Sequence, residues 1–142
     1  LRHIPLQDFI IGPYRSAIKD SEILTHIKIT GLEGYREGYK KVAKRAALAI
    51  SRLSVAWAIR EVEGVFQDVR VSIGSCTPVP FRPKAAEEYL RGKNKKESVV
   101  MDGIEMIIHE IVNISGMRKS YAYKIPVLKE LLFDILMGRE CQ

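Results

Sequence analysis

Leu53-Ser-Val-Ala-Trp-Ala-Ile59 and Val65-Phe-Gln-Asp-Val-Arg-Val-Ser-Ile73 decide the fold. In the first stretch the bulky Leu53, Val55, Trp57 and Ile59 fall on every second position, with Ser54, Ala56, Ala58 and Arg60 on the alternate ones. A period of two marks a strand with one packed face. In the second, Val69, Val71 and Ile73 alternate with Asp68, Arg70 and Ser72. The connection Glu61-Val-Glu-Gly64 supplies a glycine where a tight turn needs positive φ. Two such arms predict an antiparallel hairpin. A hairpin alone is marginal in water, so it needs a cover, and the apolar surface available for one lies in the C-terminal third.

Upstream, Tyr39-Lys-Lys-Val-Ala-Lys-Arg45 reads as a basic strand, followed by a small-residue run from Ala46 to Ser51. If this strand is extended, Tyr39, Lys41, Ala43 and Arg45 share one face and Lys40, Val42 and Lys44 the other. The first face offers an aromatic ring, an ammonium and a guanidinium in a row, a pattern suited to a phosphate or an electron-rich ring. The same pattern fits an edge strand kept soluble by its lysines. Before it, Ile23, Thr25, Ile27 and Ile29 alternate with Leu24, His26 and Lys28, which predicts an edge strand closed by Gly31 and Gly34. Residues 1–21 read as an irregular lead-in. Leu6, Phe9, Ile10 and Ile11 are placed to anchor it to a core, Gly12-Pro13 breaks it and Asp20-Ser21 ends it.

Downstream, Cys76-Thr-Pro-Val-Pro-Phe-Arg-Pro83 is a crossover, because its prolines remove donors and fix φ. Pro83 is suited to the first position of a short helix, Lys84 to Arg91, that stops at Gly92. Lys93 to Glu97 is a polar turn. Val100, Ile104, Ile107, Ile108 and Ile111 then recur at helical spacing, with Asp102, Glu105 and Glu110 off the stripe, until Asn113-Ile-Ser-Gly116. A last helix carries Leu128, Leu132, Ile135 and Leu136 and stops at Gly138; Pro126 places its start between Ser120 and Lys124, with a distorted first turn. Strands first and helices afterwards predict an α+β fold: an antiparallel sheet of three to four strands covered on one face by three C-terminal helices.

The 142 residues make one domain large enough to bury a core without disulfides or metal. No apolar run approaches the roughly 18 residues of a transmembrane span. Cys76 and Cys141 are far apart and unpaired in spacing, which fits a reducing, cytoplasmic compartment. The chain opens Leu1-Arg-His-Ile-Pro-Leu and reads as a segment of something longer, or a processed chain. A net charge of +6 raises nucleic acid as a partner, with basic clusters at Arg36, Lys40, Lys41, Lys44, Arg45 and Arg52 and at Arg91, Lys93, Lys95 and Lys96. Against it, the chain has no paired aromatics on a strand and no helix rich in base-reading side chains.

Catalysis has little to work with. His3, His26 and His109 stand alone, no paired Cys or His spacing offers a metal, and no nucleophile elbow, P-loop or dinucleotide fingerprint occurs. His109 flanks the strongest helical stripe and reads as structural.

Several motifs in a fixed order nevertheless carry a resemblance. They are Pro5-Leu-Gln-Asp-Phe9, Gly12-Pro13, Glu22-Ile-Leu24, Lys41-Val-Ala-Lys-Arg45 with Ala-Leu-Ala-Ile-Ser51, Val71-Ser-Ile-Gly-Ser-Cys-Thr-Pro78 with Arg82, Ala86-Glu-Glu-Tyr-Leu-Arg-Gly92, and Ile114-Ser-Gly-Met-Arg118 with Tyr123-Lys124. Together they resemble the C-terminal domain of the FAD-binding subunit of the xanthine dehydrogenase and carbon monoxide dehydrogenase family of molybdenum hydroxylases.

The resemblance implies an α+β domain, residues 22–142, behind a lead-in, residues 1–21, that belongs to a preceding FAD-binding domain. It implies FAD held mainly by domains outside this chain, with iron–sulfur and molybdopterin subunits as partners and electron transfer as the activity. The domain would help close the flavin site and dock those subunits, without catalysing anything alone; a homo-oligomer stays open. Residue by residue, it places Ile23 and Leu24 among aliphatics near the flavin, Lys41 at a flavin-proximal lysine, and Arg45 at the arginine of a Lys-x-x-x-Arg pattern. The alternative is a free-standing binding module of the same fold that uses its basic face for a protein, nucleotide or nucleic-acid partner.

Overall fold

The computed structural model describes residues 1–43 and 50–139. Its centre is the predicted hairpin, β4 (Ser51–Val62) and β5 (Val65–Gly74), paired antiparallel with Val55 opposite Ile73, Trp57 opposite Val71 and Ile59 opposite Val69. The turn is shorter than the sequence suggests. Glu61 and Val62 stay in the ladder, opposite Phe66 and Val65, leaving Glu63 (φ 49°) and Gly64 (φ 74°) as a two-residue turn. Positive φ at both positions matches the twist of the flanking strands. Arg60 faces Asp68 while Glu61 faces Phe66, so Gln67 is an extra residue on β5. This bulge flips the strand's phase and brings Phe66, out of step with Val69, Val71 and Ile73, back into the core, where it is fully buried.

Strand β3 (Arg36–Ala43) pairs with the other edge of β4, giving the order β3-β4-β5. Gly38 lies opposite Trp57, whose ring lies over the glycine; a Cβ there would sit 2.4 Å from the indole. Three helices cover one face: α2 (Lys84–Leu90), α3 (Glu97–Ser115) and α4 (Tyr121–Met137). Helix α2 packs on β5, α4 packs on β4, and α3 packs against both helices. The α3 stripe Val100, Ile104, Ile107, Ile108 and Ile111 is buried, as is the α4 stripe Leu128, Leu132, Ile135 and Leu136. Arg36 donates from β3 to the Ile135 carbonyl at 2.8 Å, tying the outer strand to α4. Pro83 caps α2 instead of opening it, and Pro126 lies inside α4, which starts at Tyr121. Helix α4 ends at Gly138 (φ 71°), with the Arg139 N–H donating to Asp134 O and the Gly138 N–H to Ile135 O.

The crossover after β5 seals that strand's outer edge. Ile73 exchanges backbone hydrogen bonds with Phe81 at 2.9 and 3.1 Å, the Val71 N–H donates to the Glu87 carboxylate at 2.8 Å, and Phe66 pairs with Gly92 and Lys93. Arg82 holds Glu87 in place through two hydrogen bonds, at 3.0 and 2.6 Å.

The α+β class therefore stands, with three strands in the main sheet among the described residues. The expected fourth strand is absent: residues 22–30 form no helix, strand or turn, because alternation makes a strand only where a neighbour accepts its hydrogen bonds. The lead-in is also more regular than expected, with α1 (Leu6–Phe9) and a small hairpin, β1 (Ile10–Gly12) and β2 (Arg15–Ser16). It anchors nothing to the core. Leu6 and Ile11 are 70% and 55% exposed, and among the described residues the core draws on none before Val42.

Candidate functional site

The sheet has two faces, and the helices take only one. Strand parity puts Glu37, Tyr39 and Lys41 of β3, Ser54, Ala56 and Ala58 of β4, and Arg70, Ser72 and Gly74 of β5 on the opposite face. Tyr39 lies opposite Ala56, and Ala56 opposite Ser72; Lys41 lies opposite Ser54, and Ser54 opposite Gly74. The strip across the middle of this face is thus serine, alanine and glycine, flanked by an exposed tyrosine and an exposed lysine. A Cβ on Gly74 would meet the Ser54 hydroxyl at 2.4 Å, so that hydroxyl already fills the space a side chain would take. The outcome is a low, flat surface with polar atoms in it.

One end of the strip is closed by a cluster that sequence reasoning missed. Tyr35 donates its hydroxyl to Asp68 at 2.6 Å, and Arg70 Nε donates to the same carboxylate oxygen at 2.8 Å. Arg91 reaches the other oxygen at 3.3 Å. The guanidinium groups of Arg60 and Arg70 both lie over the Tyr35 ring, at 5.4 and 5.1 Å from its centroid. Burial pushes the Asp68 carboxyl up, but the hydrogen bonds from Tyr35, Arg70 and Arg91 and the Arg70 charge outweigh it, and the group titrates below the usual aspartate range. The only sequence signal for this cluster was the Arg60–Asp68 pairing across the hairpin, and it is hidden until the bulge fixes the register.

The other end of the strip is the turn at Ser75 (φ 67°) and Cys76. Tyr121 donates its hydroxyl to the Cys76 carbonyl at 2.8 Å, and the Lys124 ammonium donates to the Ser75 carbonyl. Arg52 lies over the Tyr123 ring. Burial raises the Cys76 thiol above its ordinary range, with Lys124 and Arg118 only partly offsetting it.

Lys41 is exposed on β3, on the open face. Ile23 and Leu24 lie in the irregular segment 22–30 and are 85% and 55% exposed. Arg45 lies outside the described residues, as does Cys141. Among the described residues no three His, Cys, Asp or Glu side chains gather as a metal site, and no helix is long and apolar enough to cross a membrane. His109 is exposed on α3 beside Asn113, the flanking position read from its spacing.

A half-open α+β layer with one helix-covered face is the class that this architecture defines. Residues 38–138 match the CO dehydrogenase flavoprotein C-terminal domain. The chain belongs to that family. It is 32% identical over 133 residues to the glyceraldehyde dehydrogenase medium chain of Sulfolobus acidocaldarius, covering 92% of this chain and 46% of the relative. It is 23% identical to the xanthine dehydrogenase FAD-binding subunit of Escherichia coli O157:H7, covering 96% of this chain and 47% of that one. The fold matches carbon monoxide dehydrogenase from Hydrogenophaga pseudoflava with a TM-score of 0.73 at 16% identity, covering 96% of this chain and 46% of that one. It matches quinoline 2-oxidoreductase from Pseudomonas putida 86 with a TM-score of 0.68 at 18% identity, covering 92% and 44%. The chain thus spans a little under half the length of the relatives it matches.

Proposed function

We propose that this chain is the C-terminal part of the flavoprotein subunit of a molybdenum hydroxylase-type oxidoreductase, and that the open sheet face is the wall it turns towards the flavin and the FAD-binding half. The observation that carries this reading is the flat strip Ser54-Ala56-Ser72-Gly74, bordered by Tyr39 and Lys41. A strip without protruding side chains suits the face or edge of a planar ring, and the lysine ammonium suits an electron-rich edge. The residues present fit the ring end of FAD and not its diphosphate, since no glycine-rich loop at a helix start is found among the described residues. FAD, when bound, supplies two-electron redox chemistry. This chain's residues exclude water from one side, fix the ring's tilt, and hold positive charge beside it through Lys41. Ile23 and Leu24 add aliphatic cover in the same subunit, and iron–sulfur and molybdopterin subunits are the electron donors in this reading.

The test is made in the complete subunit. Ala56→Trp fills the strip, whereas Lys41→Ala removes the charge. FAD content measured after denaturation should stay near one per subunit for both, because the diphosphate is held elsewhere. The ring's absorbance maxima and fluorescence yield should change for Ala56→Trp, and its reduction potential should fall for Lys41→Ala. Unchanged spectra and potential in folded variants would remove this face from the flavin site.

A further inference from the structure

Strand β3 runs for 8 residues without a proline, along an edge that has no strand neighbour among the described residues. An open edge of this length is a template for another strand, and its side chains decide which strand fits. Glu37, Tyr39 and Lys41 share the open face of the sheet, so the row reads acid, ring, base; Tyr39 is 63% exposed. Turned end for end, the same row reads base, ring, acid. An antiparallel copy of β3 centred on Tyr39 therefore sets Glu37 against Lys41 at both ends and Tyr39 against its own counterpart. On the other parity Gly38 meets Lys40 and Arg36 meets Val42, and nowhere do like charges face each other. The neighbouring registers lack this property. Centring on Gly38 opposes Arg36 to Lys40, and centring on Lys40 opposes that lysine to itself. A shift by a single residue turns the two open faces to opposite sides of the sheet.

From this self-complementary row we infer that β3 is an interface between two copies of the chain, paired antiparallel across a twofold axis at Tyr39. The two three-stranded sheets join into one continuous sheet, with the helices of both copies on one side and both open faces on the other. The charges select the partner, because a strand this basic repels a second copy in the registers to either side and admits it in the one centred on the tyrosine. Glu37 of the partner subunit then stands beside Lys41, so each copy contributes a carboxylate to the border of the other's serine, alanine and glycine strip. Every contact comes from β3 itself, and the pairing needs no flavin.

The experiment uses the complete subunit, with sedimentation velocity to read its mass and disulfide trapping to read its register. The wild type is expected to sediment as a dimer at about 100 μM, a concentration at which weak pairing is still populated. Glu37→Lys and Lys41→Glu are each expected to raise the dimer dissociation constant by about 10-fold or more, since each change sets like charges against each other at both ends of the row. The two together restore opposite charges and are expected to return the constant to within about 3-fold of wild type, a rescue that a merely damaged strand does not give. Tyr39→Cys is expected to form a disulfide-linked dimer and Lys40→Cys is not. Position 39 meets its own counterpart at about 5 Å between Cβ atoms, whereas the Cα atoms at position 40 are about 8 Å apart, beyond disulfide reach. A wild-type subunit that stays monomeric at this concentration would overturn the inference. So would a dimer that is indifferent to both charge variants, or one that is trapped equally well through position 40. The FAD content of the same samples decides the flavoprotein reading separately.

Discussion

Two residues set how the sheet tolerates change. Gly38 is required by its neighbour and not by its backbone: a methyl group there meets the Trp57 ring at 2.4 Å, and that ring is half-buried against the core. Gly38→Ala should cost about 1–3 kcal/mol through forced movement of the indole, seen as a lower urea midpoint with an unchanged slope. Asp68 is held by Tyr35, Arg70 and Arg91, but both arginines are about half-exposed, so the loss in Asp68→Asn should be moderate, about 1–2 kcal/mol. Its pH signature follows from the lowered folded value. The stabilisation is fully present above the unfolded value of 3.8 and is lost as pH falls through the folded value. The gap between wild type and variant in urea melts should therefore be constant from pH 5 to 7 and should close in the acid range below about pH 4.

At the scale of the element, the β4–β5 turn can be improved. Glu63 holds φ at 49°, a conformation that costs a glutamate more than an asparagine. Glu63→Asn gives the Asn-Gly pair that two-residue hairpins favour, and should raise stability by roughly 0.5–1 kcal/mol, read as a higher thermal midpoint. The hairpin, both long helices and their buried stripes were legible because each repeats its period over many residues. What was not legible depended on a partner. Phe66 looked out of phase because nothing in Val65-Phe-Gln-Asp-Val69 announces that Gln67 is extra. The run Ile23 to Ile29 announced a strand without saying which sheet would receive it. The shared parity of Tyr39 and Lys41 could be read directly, and the pairing with Ala56 and Ser54 bears it out. That the strip between them is serine, alanine and glycine needed the register, because its residues come from two strands.

At the scale of the whole molecule, the two faces of the sheet are used unequally. Its helices bury a core against one sheet face, to which, among the described residues, the first 35 contribute nothing. A urea melt of this chain should therefore be unaffected, within about 0.5 kcal/mol, by Ile27→Asp or Ile29→Asp, whereas Leu132→Ala should cost about 2–5 kcal/mol. The two edges of the sheet are just as unlike each other. Phe81, Glu87, Gly92 and Lys93 hydrogen-bond to Ile73, Val71 and Phe66 along β5, and among the described residues β3 has β4 on one side and no strand on the other. A sheet with one sealed end is a chain terminator. Two copies that met through β3 would each present a finished edge outward, so growth by strand addition stops at a pair and no ribbon can propagate.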